Sequence, residues 1–359
     1  MNIQDLKDQA GRLIIAGFEG TTLPSEIGYA AESGCLGGIV LFKRNVETPA
    51  QVQAMLFELQ ARSPKGKHLI IAVDQEGGRV ARLQEPLTVL PPARRFGEIN
   101  NPDLTRTAGK LVGAELSSLG FNMNFAPVLD VNTNPDSPII GDRAYGDNVE
   151  TVIKHGFAFA QGLCKGGVNP CAKHFPGHGD ASVDSHLDLP LVEHDRARLE
   201  QIELEPFAAW ARTGLGPIMT AHIVFSSLDP DNPATSSRAI LTKELRERLH
   251  FGGVVLTDDL EMGAVNSAGG TAAVAIKAIM AGANGLLICR NDDLRTEVIA
   301  TLAHQASVNP VLAARMISSE AKLATLIKPP GPTPDINWID SKEHNRLKNA
   351  FYKSLSNVS

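Results

Sequence analysis

The chain has 359 residues, 43% of them apolar, with 34 Lys plus Arg against 40 Asp plus Glu for a net charge of −6. This is a globular composition, and without a Lys/Arg cluster it lacks the basic footprint of a nucleic-acid binder. The length suits either two domains or one α/β barrel.

At the N-terminus, Asp5, Lys7, Asp8 and Arg12 precede an apolar run at 13–18 that is too short for a signal-peptide core or a membrane span. Cys35, Cys164, Cys171 and Cys289 form no CxxC pair and read as buried free thiols in a reducing compartment. The expected location is therefore the cytoplasm, with no membrane contact.

Short runs rich in Val, Ile and Leu follow at 38–42, 69–73, 122–131, 170–174, 217–224, 253–257 and 285–289, making eight strands with 13–18. Helical patterns lie between and after them at 49–61, 104–119, 149–164, 195–212, 241–249, 272–280 and 292–327. Several end at a glycine suited to a helix C-terminus: Gly120, Gly166, Gly214, Gly252 and Gly282. Eight βα units with strands apolar on both faces predict an α/β fold, a single (β/α)8 barrel with a short C-terminal extension. An open doubly wound sheet is the alternative, but no GxGxxG follows the first strand and no GxxxxGK[ST] occurs. The expected division is a catalytic barrel over 1–327 and a Pro-rich linker with a helical extension over 328–359. That extension either packs through Trp338, Phe351 and Tyr352 or remains mobile.

In such a barrel the chemistry sits where strands end. Glu19, Lys43-Arg44-Asn45, Asp74 to Arg79 with Arg82, Asp130 with Asn132 and Gly141-Asp142-Arg143, Lys173 to Asp180, His222, Asp258-Asp259 and Arg290-Asn291 fall at these ends. Asp259 reads as a helix N-cap. Asp258, directly after 254–257, belongs at the barrel mouth.

The stretch 173–186 is the densest, with one Lys, three His and two Asp. His174 and His178 have the i, i+4 spacing of a zinc helix, but Pro176-Gly177 between them breaks the helix that would align them. No metal and no other cofactor is expected. The stronger reading is acid/base chemistry. Asp184 can orient His186 across Ser185, and with Asp258 as a carboxylate nucleophile this gives double displacement at an acetal carbon. Lys173, His174 and His178 also fit a structural hydrogen-bond network, and for His178 that reading is as good as substrate contact. The loop 177–187 is expected to be mobile without ligand.

Five ordered motifs resemble glycoside hydrolase family 3, nearest its bacterial β-N-acetylglucosaminidase branch. They are Gly38-Ile39-Val40-Leu41-Phe42-Lys43-Arg44-Asn45, Val73-Asp74-Gln75-Glu76-Gly77-Gly78-Arg79-Val80, Gly141-Asp142-Arg143-Ala144-Tyr145-Gly146, Lys173-His174-Phe175-Pro176-Gly177-His178-Gly179-Asp180 with Asp184-Ser185-His186, and Thr257-Asp258-Asp259-Leu260-Glu261-Met262. The likeness spans roughly 10–325. It implies a retaining exo-enzyme removing terminal GlcNAc from peptidoglycan fragments or chitooligosaccharides. Asp258 would be the nucleophile, His186 the acid/base and Asp184 its orienting partner. Asp74, Arg82, Arg143, Lys173 and His174 would hold the sugar.

Ala181, Ala144-Tyr145 and Glu261-Met262-Gly263 depart from the family pattern without touching a proposed catalytic atom. Phosphorolysis, a β-glucosidase or β-xylosidase, metal-dependent hydrolysis and a non-catalytic sugar-binding barrel are the alternatives. The expected partner is a small carbohydrate, bound by a monomer or dimer.

Overall fold

The structure is a computed structural model that describes residues 2–135, 137, 139–181, 189–327 and 335–357. Besides two short pairs, Gln75–Gly77 with Val80–Ala81 and Leu191–Val192 with Val224–Phe225, the strands of its main sheet are β1 (Ile14–Ala16), β2 (Gly38–Leu41), β3 (Ile70–Val73), β4 (Met123–Asn124), β5 (Asn169–Pro170), β6 (Ala172–Phe175), β7 (Ile218–Thr220), β8 (Val255–Asp259) and β9 (Gly285–Ile288). All neighbours pair in parallel in the order β5-β4-β3-β2-β1-β9-β8-β7-β6. The two ends of that order, β5 and β6, are halves of one strand separated only by Cys171. The Cys171 amide donates to the carbonyls of Asn124 (3.0 Å) and Ala126 (2.9 Å), and Val128 bridges Lys173 in parallel. The sheet thus returns on itself as a barrel of eight staves, as the periodicity predicts.

The strands are short and apolar because both faces are covered, the inner by facing strands and the outer by helices. Residues 13–16 and 39–41 are fully buried. The outer helices include α1 (Ile3–Gly11), α2 (Ser25–Glu32), α3 (Pro49–Arg62), α4 (Pro102–Leu119), α5 (Val149–Gly166), α6 (Glu205–Ala211), α7 (Ala239–Arg248), α8 (Thr271–Ala281), α9 (Asp292–Val308), α10 (Pro310–Ala324) and α11 (Lys342–Ser356). Many start on a side-chain cap followed by a turn-compatible residue. Thr48 accepts from Gln51 ahead of Pro49, and Asn101 accepts from Asp103 and Leu104 ahead of Pro102. Where α4 crosses α5, a Cβ on Gly109 would lie 2.2 Å from the Phe159 carbonyl oxygen, so only glycine permits that approach.

Three boundaries differ from the expectation. The strand expected at 122–131 pairs regularly only at Met123–Asn124, because Pro127 offers no amide to continue the ladder. The helix expected over 292–327 breaks at Asn309, whose side chain caps α10 while Pro310 opens it. The helix expected over 195–212 splits into Arg196–Gln201 and α6. Among the described residues no helix is long and apolar enough to cross a membrane.

The C-terminal α11 lies on the barrel. Its His344 is fully buried with Nε2 2.7 Å from Oε1 of Glu115 on α4. Phe351 stacks on Phe96 (6.4 Å between centroids), and the Tyr352 hydroxyl accepts from the Val89 amide. Trp338 lies 4.7 Å from the His344 ring. Glu115 also accepts from the Thr88 amide (2.9 Å) and hydroxyl (2.5 Å). Replacing Glu115 with Ala would strand three buried donors, so Glu115→Ala is expected to lose about 3 kcal/mol in urea unfolding. Activity of the folded fraction should be unchanged.

Candidate active site

At the C-terminal ends of the strands lies a cavity of about 270 Å³, bounded in part by Asp74, Arg82, Arg143, Lys173, His174 and Asp258. Six of the eight residues singled out from the sequence therefore share one space. The other two, Asp184 and His186, lie outside the described residues, as does most of the expected mobile loop.

The floor is an ion cluster. The Lys173 ammonium, 2% exposed, lies 2.6 Å from Asp74 Oδ1 and 2.7 Å from Glu76 Oε1. Arg143 grips the same Glu76 with a fork, Nε to Oε2 at 2.9 Å and Nη2 to Oε1 at 2.8 Å. Burial alone would raise the Glu76 pKa, but the charges of Arg143 and Lys173 overcome it and hold the carboxyl well below its usual range. Likewise burial works to lower Lys173, and Asp74 and Glu76 reverse it, so the amine stays protonated. Arg82 reaches Asp74 at 3.5 Å from the rim. Lys173 and His174 are consecutive in β6 yet both line the cavity; the peptide bond between them is cis.

A third carboxylate, Asp130, organises the histidines. Fully buried, it accepts from the His174 amide (3.1 Å) and the His178 amide (2.7 Å), and its Oδ2 lies 2.7 Å from His174 Nδ1. This fixes the His174 ring and leaves Nε2 as its other face. His178 also lines the cavity, and burial followed by the charge of His174 brings its pKa down to about 4, so it is neutral at pH 7. The turn beyond needs glycine. Gly177 has φ of 136°, and a Cβ on Gly179 would sit 1.8 Å from the Val131 carbonyl oxygen.

Asp258 is the penultimate residue of β8, its Oδ1 accepting from the Asp259 amide at 2.8 Å. Burial pushes its pKa up, but His174, His222, the Asp259 amide and Lys173 together bring it below the ordinary carboxylate value. His222 sits behind it, with Nε2 3.0 Å from the Asp259 carbonyl oxygen and Nδ1 2.8 Å from the Thr235 hydroxyl. Asp259 is not the helix cap expected. Its Oδ1 accepts from the amides of Glu261 (3.1 Å) and Cys289 (3.2 Å), tying β8 to β9, and burial raises its pKa to about 7. Adjacent carboxyls thus differ in character, Asp258 charged and Asp259 half-protonated near neutrality.

Three contributors had no role assigned from sequence: Glu76, Asp130 and His222. Each sits at a strand end, but its function depends on partners from distant segments. Among the described residues no group of three His, Cys, Asp or Glu side chains is placed to hold a metal. The Asp130 bond also commits one nitrogen of His174.

The Glu76 clamp predicts a pH signature. A carboxyl with a depressed folded pKa contributes stability that is complete above its unfolded value of 4.5 and lost as pH falls through the folded value. Glu76→Gln should cost roughly 2–4 kcal/mol at pH 7. The gap to wild type, measured by urea midpoints, should close progressively below about pH 4.5.

Residues 14–326 match the glycosyl hydrolase family 3 N-terminal domain. The chain is 38% identical over 290 residues to a β-hexosaminidase of Methylobacillus flagellatus, covering 79% of this chain and 82% of that one. It is 39% identical over 295 residues to a β-hexosaminidase of Nitrosomonas eutropha, covering 80% and 83%. In three dimensions it resembles NagZ of Neisseria gonorrhoeae, with a TM-score of 0.80 and 31% identity over 96% of this chain and 97% of that one. That NagZ is also known in complex with N-trifluoroacetyl-D-glucosamine. The closed parallel barrel, the charged cavity at its strand ends and these likenesses agree: the chain belongs to glycosyl hydrolase family 3 and is a glycoside hydrolase of the β-hexosaminidase kind.

Proposed function

We propose that this hydrolase is a retaining exo-β-N-acetylglucosaminidase, cleaving non-reducing terminal GlcNAc from peptidoglycan fragments or chitooligosaccharides through a covalent glycosyl-enzyme intermediate. The observation that carries the reading is Asp258, a half-buried carboxylate that lines the cavity and that His174, the Asp259 amide and Lys173 help hold below the ordinary carboxylate pKa. An ionised carboxylate at that place suits attack on an anomeric carbon, and its low basicity suits departure in the second step. The cavity of about 270 Å³ falls below the roughly 300–1,000 Å³ of pockets for drug-sized ligands, which favours one terminal ring over a polymer threaded through a cleft. The glucosamine derivative held by gonococcal NagZ supports the sugar class.

In this mechanism Asp74, with Lys173 neutralising it, accepts hydrogen bonds from ring hydroxyls. Arg82, Arg143, Lys173 and His174 position the sugar, and Asp130 keeps the His174 ring from turning. Asp258 attacks the anomeric carbon. His186, oriented by Asp184, protonates the departing oxygen and then deprotonates the incoming water. The roles of His186 and Asp184 rest on the sequence motif. The described chain enters their segment from Asp180, which is fixed by the Thr133 hydroxyl (2.9 Å) and His194 Nε2 (2.5 Å). Action in the cytoplasm accords with four free thiols.

With an aryl β-GlcNAc substrate, Asp258→Ala should lose roughly 10³-fold or more in kcat. Full activity in that variant would remove Asp258 as nucleophile. Net formation of GlcNAc 1-phosphate in phosphate buffer would replace hydrolysis by phosphorolysis. A leaving-group series tests the acid/base. His186→Ala should fall by roughly 10²-fold or more on poor leaving groups and far less on activated phenols that depart unprotonated. Uniform loss across the series would assign His186 another role.

A further inference from the structure

On the opposite face of the barrel, where the strands begin, lies a second cavity of about 190 Å³. It is built from three helices. α10 presents Arg315, Ser318, Ser319 and Lys322, the i, i+3, i+4, i+7 positions of one helical stripe. α7 adds Thr242 and Arg246, and the chain from the end of α8 to the start of β9 adds Gly282, Ala283 and Asn284.

The charge on this wall is one-sided. Three cations line the cavity, and among the described residues no carboxylate does. Arg246 is hydrogen-bonded but not charge-balanced. Nη1 donates to the Phe251 and Gly253 carbonyls, and Nη2 to Gly282 (3.1 Å) and Asn284 Oδ1 (2.8 Å). It caps the C-terminal end of α8, and burial without a counter-ion draws its pKa down to about 10. Lys322 spends one donor on the Gly252 carbonyl at 2.8 Å, and burial followed by the charge of Arg246 lowers its pKa. The α10 carboxylate of Glu320 is engaged elsewhere, with Arg12 (2.7 Å) and Lys67 (3.6 Å). Among the described residues Arg315 makes no hydrogen bond or ion pair.

Arg246 thus has a structural reason to be cationic here and Lys322 keeps one bond to a carbonyl, whereas Arg315 has no partner among the described residues, and the three cations share one cavity that no described carboxylate lines. We propose that this cavity is an anion site that takes a phosphoryl group, as inorganic phosphate or as the phosphate of a small sugar ester. The Thr242 hydroxyl donates to the Ala281 carbonyl, while the Arg315 guanidinium, the Lys322 ammonium and the Ser318 hydroxyl offer donors along α10, and Arg246 adds its charge from α7. That spread suits the several oxygens of a tetrahedral dianion better than the single edge of a carboxylate. The cavity volume admits a phosphoryl group with a small appendage and not a nucleotide. The site is separate from the catalytic cavity, so a phosphorylated metabolite could report on the enzyme without competing with substrate.

The full chain is titrated with inorganic phosphate, and separately with glucose 6-phosphate, against sodium chloride of equal ionic strength. Thermal unfolding and calorimetry are the readouts. Wild type should gain on the order of 2 °C in Tm and bind with a Kd of about 1 mM or tighter. The double variant Arg315→Gln/Lys322→Gln should lose the gain and bind at least about tenfold more weakly, with kcat/KM on an aryl β-GlcNAc unchanged. Its own Tm and kcat/KM without anion establish that it is folded. A response to both ligands assigns the phosphoryl group as the determinant, and a response to the ester alone assigns the sugar phosphate. No gain over chloride with either ligand, or an equal gain in wild type and variant, overturns the proposal.

Discussion

The catalytic face depends on one constraint: an ammonium group cannot lie inside the barrel unless anions hold it there. Lys173 is taken out of water at a strand end, where its isolated charge would cost several kcal/mol. Asp74 and Glu76, just after β3, offset that cost, and Arg143 brings in the chain beyond β4 by fixing Glu76 from its other side. Four side chains from three staves are thus locked in relative position before any sugar arrives. Such fixed charges need little reorganisation when charge develops at an anomeric carbon.

Asp130 and Asp258 show two uses of a carboxylate at the barrel mouth. Asp130 spends its oxygens on His174 and on two amides, and so serves as a fixture. Asp258 accepts from the neighbouring Asp259 amide and otherwise takes its stabilisation from charges at longer range. A carboxylate held by field more than by contact keeps lone pairs for reaction.

Much of this was legible in the sequence, for a definite reason. Val, Ile and Leu runs mark the staves because each must be apolar on both faces. A polar residue directly after such a run can hardly avoid the barrel mouth, which is how Asp74, Lys173 and Asp258 stand out. What was not legible depends on partners far along the chain. Glu76 meets Arg143 across 67 residues, and nothing local distinguishes it from a solvated carboxylate. Asp259 carries the local signature of a helix cap, and only the approach of β9 diverts it to the Cys289 amide. The break at Asn309-Pro310 was written in the sequence as a cap followed by proline. Its meaning was hidden because α9 and α10 share an unbroken apolar rhythm.

The barrel closes at Cys171, between a half-strand that belongs to one neighbour and a half-strand that belongs to the other. That seam carries Lys173 and His174 immediately after it. Parting the ring there would draw the ammonium away from Asp74 and Glu76 and the imidazole away from Asp130 in a single motion. Structural integrity and the geometry of the charged cavity therefore share a latch, and a molecule whose ring has opened at this stave has already lost the fixed charges of that cavity, however intact the remaining staves are.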